Sequence, residues 1–141
     1  MEYIDVGRMT TSLQVELPAR RESVTAARHA VTAYAQSQRA DAESIALAVS
    51  EAVTNAVVHA YAASSDDPIR VAACLNGDAV MVSVEDDGVG IRARSGGDRL
   101  GLGLALIATV ADSMSVESKP EGGTRVVMRF RWPMYSGSEL S

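Results

Sequence analysis

The stretch "SEAVTNAVVHAY", Ser50 to Tyr61, constrains this chain more than any other. It belongs to an alanine- and valine-rich run with helical spacing, yet it carries Glu51 and, four residues on, Asn55. Residues four apart stack on one face of a helix. Ile45, Val49, Val53, Ala56 and Ala60 form the core-facing side. Leu47, Ala48 and Val58 keep the Glu51/Asn55 side from being an ordinary solvated face. A helix apolar on both sides is covered on both sides. Burying a polar side chain without a partner costs on the order of 1–3 kcal/mol, and more for a charge. The chain must therefore fold so that something meets both groups, and one of the covers can be a ligand.

The neighbouring segments supply the rest of the fold. "SLQVEL", Ser12 to Leu17, alternates apolar and polar and reads as a half-buried strand that Pro18 stops. From about Arg20 to Gln38 the apolar residues Val24, Ala27, Val31, Tyr34 and Ala35 recur at helical spacing. Arg21, Thr25, Arg28, Thr32 and Gln36 fall on the opposite, wet face. Asp41 is a good N-cap for the second helix, with Glu43 in its first turn, and that helix runs to about Tyr61. Two strands, Ile69 to Leu75 and Ala79 to Glu85, flank "NGD", a strong hairpin signal. An apolar helix is expected from Leu102 to about Ala111, then strands from Met114 to Ser118 and Thr124 to Trp132 around the turn "KPEGG". The order β, α, α, β, β, α, β, β predicts an α+β fold, a two-layer α/β sandwich. Its mixed, mostly antiparallel sheet carries the helices on one face. One domain is expected over residues 1–141, with a core of about 12–132.

Composition narrows the function. Thirteen basic residues against 18 acidic ones leave a net charge of −5, which argues against direct nucleic-acid binding. No apolar stretch approaches the roughly 20 residues of a membrane span, and "MEYIDVGRMT" has no signal core. A soluble, cytoplasmic protein is expected. The single cysteine, Cys74, lies in a predicted strand and is expected to be a buried thiol.

Chemistry concentrates downstream of the Glu51/Asn55 helix. "VEDDGVGI" ends an alternating strand in the pattern Asp86-x-Gly88-x-Gly90. Glycines there permit sharp turns and close ligand approach, and Asp86 at the strand end can accept hydrogen bonds from an amino group. Gly101-Leu102-Gly103 is expected to open the next helix, whose free N–H groups and positive dipole end suit phosphate. Gly123-Thr124 begins a strand whose hydroxyl reaches toward the same pocket. The plainer reading is that Glu51 and Asn55 cap a loop and the glycines only shape turns. Against it stands the occurrence of all four elements, in one order, in a short chain. Asp87 fills the variable position of its motif and is expected to be exposed, and His59 is expected to pack or bond a loop.

That order resembles the Bergerat-fold ATPases, the superfamily of gyrase B, the large heat-shock chaperones, sensor histidine kinases and MutL. Their four boxes match "EAVTN", "DDGVG", "GLG" and "GGT". Within the superfamily the chain is most similar to the anti-sigma-factor serine kinases, through "LPARRESVTAAR", "LAVSEAVTNAVVHAY", "VEDDGVGI", "GLGLALIATVADSMSV" and "GGTRVVMRF". The resemblance implies that Asn55 binds the magnesium that bridges the phosphates of ATP and that Glu51 is the catalytic general base. It implies that Asp86 reads the adenine amino group, that Gly88 and Gly90 admit base and ribose, and that Gly101, Leu102, Gly103 and Leu104 hold the phosphates. Thr124 supports Asp86, through water. The implied partners are a sigma factor and an anti-anti-sigma antagonist, contacted through Arg21 and Arg28, and the implied assembly is a homodimer. Only "IRARSGGDRL" separates Gly90 from Gly101, a short lid whose Arg92, Arg94 and Arg99 either contact phosphates or are solvated. The alternatives within reach are a nucleotide-binding switch without kinase turnover and a histidine-kinase-type catalytic domain.

Overall fold

The computed structural model describes residues 12–60, 67–88 and 98–131. Strand β1 (Ser12–Pro18) leads into helix α1 (Glu22–Ser37) and helix α2 (Ala42–Asn55), which continues as a π-helical turn, Ala56–Ala60. Then follow β2 (Pro68–Asn76), β3 (Ala79–Asp86), helix α3 (Asp98–Val110), β4 (Ser113–Ser118) and β5 (Thr124–Arg131). The sheet order is β1-β2-β3-β5-β4. All four neighbouring pairs are antiparallel, the limiting case of the mostly antiparallel sheet expected.

The alternation in the sequence decides which face of the sheet is covered. Ile69, Val71 and Ala73 of β2, Val80, Val82 and Val84 of β3, and Val126, Met128 and Phe130 of β5 are buried on one side. They pack with Ala27, Val31, Tyr34 and Ala35 of α1, with Ile45, Ala48, Val49, Ala52 and Val53 of α2, and with Ile107 of α3. Each fully buried Val or Ile contributes about 1.5–3 kcal/mol relative to exposure, so this single layer between helices and sheet holds the fold. Arg21, Thr25, Arg28 and Gln36 are exposed on the far side of α1, as the periodicity requires.

Local chemistry sets the ends. Asp41 caps α2: its carboxylate accepts from the Ser44 N–H at 3.2 Å and from the Ser44 hydroxyl at 2.8 Å. The β2–β3 hairpin closes over Gly77 and Asp78, because Asn76 pairs with Ala79. Only the first of these two has a positive φ, +65° at Gly77, as a II′ turn needs. The turn is therefore centred one residue later than the Asn-Gly pair suggested.

Four expectations change. Cys74 is exposed, because β2 turns Ile69, Val71 and Ala73 toward the helices and leaves the residues between them on the open face. Leu47 and Val58, expected under a second cover, are 40% and 55% exposed. Regular α-helix ends at Asn55 rather than near Tyr61, which lies outside the described residues. Helix α3 starts at Asp98, so Gly101, Leu102 and Gly103 are its fourth to sixth residues instead of opening it. Gly90 and the arginines Arg92 and Arg94 lie outside the described residues.

Candidate functional site

The site grows from the C-terminal end of β3. Val80, Val82 and Val84 point to the helices, and two residues on the same alternation gives Asp86, 5% exposed, at the strand's last position. Thr124, the first residue of β5, is its register partner and is also buried. Asp86 Oδ1 accepts a hydrogen bond from the Gly88 N–H at 2.9 Å, so the carboxylate shapes the turn that follows it.

Asp86 and Thr124 face a cavity of about 20 Å³. Ala52, Asn55 and Ala56 of α2, Leu104 of α3, and Val84, Val116 and Val126 of the sheet complete its wall. That volume holds about one water molecule. Two polar atoms have no hydrogen-bond partner while buried here, Asn55 Nδ2 and Thr124 Oγ1. A buried polar atom left without a partner costs about 1–3 kcal/mol, and native proteins tolerate this where a ligand or water completes the set. Asn55 stands at the junction where α2 widens into its π turn, a distortion common at functional sites.

A close backbone approach that requires glycine falls at Gly123. Its φ is +101°, and a Cβ placed there would lie 2.0 Å from the Asp86 carbonyl oxygen and 2.8 Å from Asp87 Cα. The backbone of the "GGT" turn thus rests directly on the strand end that carries Asp86.

The structure brings Asn55, Asp86, Thr124 and Leu104 to one cavity and joins the Gly88 N–H to Asp86. Glu51, half-buried, lies one turn before Asn55 on α2 and is not part of the cavity wall. The glycines of α3 are placed by their backbone alone.

A set of charges on the open face, behind Asp86, has no signal in the local sequence. Asp87 is exposed as expected, but it is held by two cations. Its Oδ2 meets Arg70 Nη2 at 2.8 Å and its Oδ1 meets Lys119 Nζ at 2.8 Å. Lys119, with 3% of its side chain exposed, also lies 3.4 Å from Glu85 Oε1. Glu85 Oε2 meets Arg125 Nε at 2.8 Å, and Arg125 Nη1 meets Glu117 at 3.2 Å. Hydrogen bonds from Arg70, then Lys119, pull the Asp87 carboxyl down to about 2. Burial opposes the charge on Glu85, yet Arg125 and Lys119 hold its carboxyl below the usual range. The strand register explains the row: Glu16 pairs with Arg70, Arg70 with Glu85, Glu85 with Arg125, and Arg125 with Glu117. Opposite charges alternate across all five strands, the favourable cross-strand arrangement.

Residues 17–130 match the Histidine kinase-like ATPase domain, and the chain belongs to that family. It is 30% identical over 138 residues to the Anti-sigma F factor of Clostridium beijerinckii, covering 88% of this chain and 96% of that protein. It is likewise 30% identical over 135 residues to the Anti-sigma F factor of Clostridium perfringens, covering 86% and 96%. Among solved structures, the RsbU and RsbW domains of Rv1364c from Mycobacterium tuberculosis superpose with a TM-score of 0.68 at 29% identity. That match covers 86% of this chain and 32% of the longer one, so the chain spans about a third of it. The SiaB–SiaC complex from Pseudomonas aeruginosa gives a TM-score of 0.66 at 18% identity over 92% of this chain and 99% of that chain, a likeness of fold alone. The motif-based resemblance and the expected α+β class both hold. No helix among the described residues is long and apolar enough to cross a membrane.

Proposed function

We propose that this chain is an ATP-binding anti-sigma factor with serine kinase activity, which sequesters a sigma factor and phosphorylates a serine of an anti-anti-sigma antagonist. The observation that carries the nucleotide reading is the cavity where buried Asp86 meets two partnerless polar atoms, Asn55 Nδ2 and Thr124 Oγ1. A carboxylate at a pocket floor accepts from an exocyclic amino group, as adenine presents, and repels the carbonyl oxygen that guanine presents at the same place. The donor set, a carboxylate, a carboxamide and a hydroxyl, suits the chemistry of ATP with magnesium. Thr124 holds a water against Asp86 and the base. Asn55 can turn its amide oxygen to a hard cation, which prefers oxygen ligands. Bound magnesium neutralises phosphate charge, the main need of phosphoryl transfer. Gly101, Leu102, Gly103 and Leu104, early in α3, are assigned to the phosphates, the N–H of Gly101 being among the four a helix leaves free at its start, and Glu51 takes the proton of the attacking serine hydroxyl.

The relatives' name, Anti-sigma F factor, supports the partner reading. Arg21, at the N-cap of α1, and Arg28, within it, stand exposed, clear of the core, and offer planar forks for carboxylates of a partner. Strand β1 is an edge of the sheet and supplies a pairing surface for a homodimer. A cytoplasmic location and a single working domain with its core at about 12–132 complete the reading.

Calorimetry with ATP, with and without magnesium, tests the binding half. Tight binding that weakens without magnesium in wild type, and loses that dependence in Asn55→Ala, is expected; equal binding by wild type and variant removes Asn55 from the site. Labelled ATP and the antagonist protein test the transfer half. Glu51→Ala should still bind ATP but transfer phosphate about 10²–10⁴-fold more slowly. Unchanged transfer excludes Glu51 as the base.

A further inference from the structure

The charges behind Asp86 form a clamp on the strand end that carries it. Lys119 opens the turn between β4 and β5, where its N–H donates to the Gly123 carbonyl at 3.0 Å and its own carbonyl accepts from the Gly122 N–H at 3.0 Å. From that turn its ammonium reaches Asp87 and Glu85, the two neighbours of Asp86 in sequence. Arg70 of β2 grips Asp87 from the other side. Gly123, in the same turn, rests on the Asp86 carbonyl, and Thr124 follows it into the cavity. Three strands are thereby tied at one point, immediately behind the pair Asp86 and Thr124. A lysine so deeply covered keeps its charge only because carboxylates meet it. Burial works against its charged form, yet Asp87 and Glu85 hold it protonated.

We infer that Lys119, through Asp87, is a positioning residue for nucleotide recognition: it fixes the Asp86–Gly88 turn against Thr124 and so sets the preference for adenine over guanine. This rests on the reading of Asp86 as the base-recognising carboxylate. Lys119 touches no substrate. It acts by holding the Asp86 carboxylate in one direction, because a carboxylate free to swing discriminates poorly between an amino group and a carbonyl. Partners that orient a ligating group change affinity by about 10–100-fold when removed.

The test measures ATP and GTP binding by calorimetry, and thermal unfolding, for the intact chain and its variants. Lys119→Met should weaken ATP binding about tenfold and lower the ATP-over-GTP ratio by a similar factor. Asp87→Asn should move both in the same direction, and Lys119→Arg, which restores a cation, should recover most of the ratio. Asp78→Asn, which breaks the Arg129–Asp78 pair at the hairpin end of the sheet, should leave the ratio unchanged. A merely structural clamp would lower the unfolding temperature and leave the ratio alone; that result overturns the inference. If Lys119→Met does not fold, Asp87→Asn decides by the same ratio, and a wild-type ratio in that variant overturns it. A wild-type chain that binds no adenine nucleotide fails the functional reading itself and takes this inference with it.

Discussion

Asp86 and Asp87 are adjacent in sequence and sit on opposite faces of the sheet. Asp87 turns to the open face and is met by Arg70 and Lys119. Asp86 turns under the helices, into a cavity where Asn55 and Thr124 each leave a buried polar atom without a partner. The first environment satisfies its charges internally. The second is arranged so that something else completes it. A residue in a closed ion-pair network reads as structure, and one facing unmet hydrogen-bonding groups reads as a site. Exposure alone would have given the opposite ranking, since the better-exposed acid is the structural one.

The contrast depends on the two faces staying in register, and Gly123 is where they touch. Gly123→Ala places a Cβ 2.0 Å from the Asp86 carbonyl at a φ of +101°. The expected loss is about 3 kcal/mol or more in unfolding free energy, measured by denaturant titration, together with loss of ATP binding. A stable, ATP-binding variant would show that the strand end yields freely and that the two environments are not coupled.

Asparagine substitutions then separate the two acids. Asp86→Asn should weaken ATP binding by about 2 kcal/mol, roughly 30-fold, the size of a hydrogen bond to a charged group. Asp87→Asn should weaken it less. Calorimetry in which Asp87→Asn is the more damaging would reverse the assignment of site and support.

Acid titration sharpens the structural side. The folded Asp87 carboxyl lies at about 2, below its ordinary 3.8. The unfolded chain therefore binds the proton first, and stability from this group is full above about pH 4 and is lost as pH falls through about 2. Lys119→Met should flatten the unfolding free energy between these values. Equal slopes for variant and wild type would remove Lys119 from the clamp. The smallest effect belongs to Asp78→Asn. The Arg129–Asp78 pair, at 2.9 Å, has side chains 35% and 46% exposed, and its loss should cost about 0.5 kcal/mol or less.

Much of this protein was legible as a string of residues. Period-two alternation placed the strands, period-3.6 spacing placed α1 and α2, and Asp41 marked a helix start, because these signals act over neighbours in sequence. The helix around Asn55, and the motifs around Asp86 and Thr124, point to the polar residues of the cavity, though not to its apolar wall of Ala52, Ala56, Val84, Val116 and Val126. Local signals failed where a long-range contact or the choice of sheet face decided. Cys74 looked buried because it sits in an apolar strand, but pairing with β1 and β3 fixed which face of β2 the helices cover. The glycines of α3 looked like a helix start, yet the helix begins three residues earlier. The row Glu16, Arg70, Glu85, Arg125, Glu117 was invisible in sequence, since its members lie up to 109 residues apart. Lys119, in the turn "KPEGG", carries no signal of its ion pairs in the sequence for the same reason. The sequence by itself determined which segments are strands and helices and which acid ends β3. The tertiary structure alone decided which charges meet, because strand register is set by packing of one whole sheet face against the helices, and a shift of one residue would have exchanged Asp86 for Asp87.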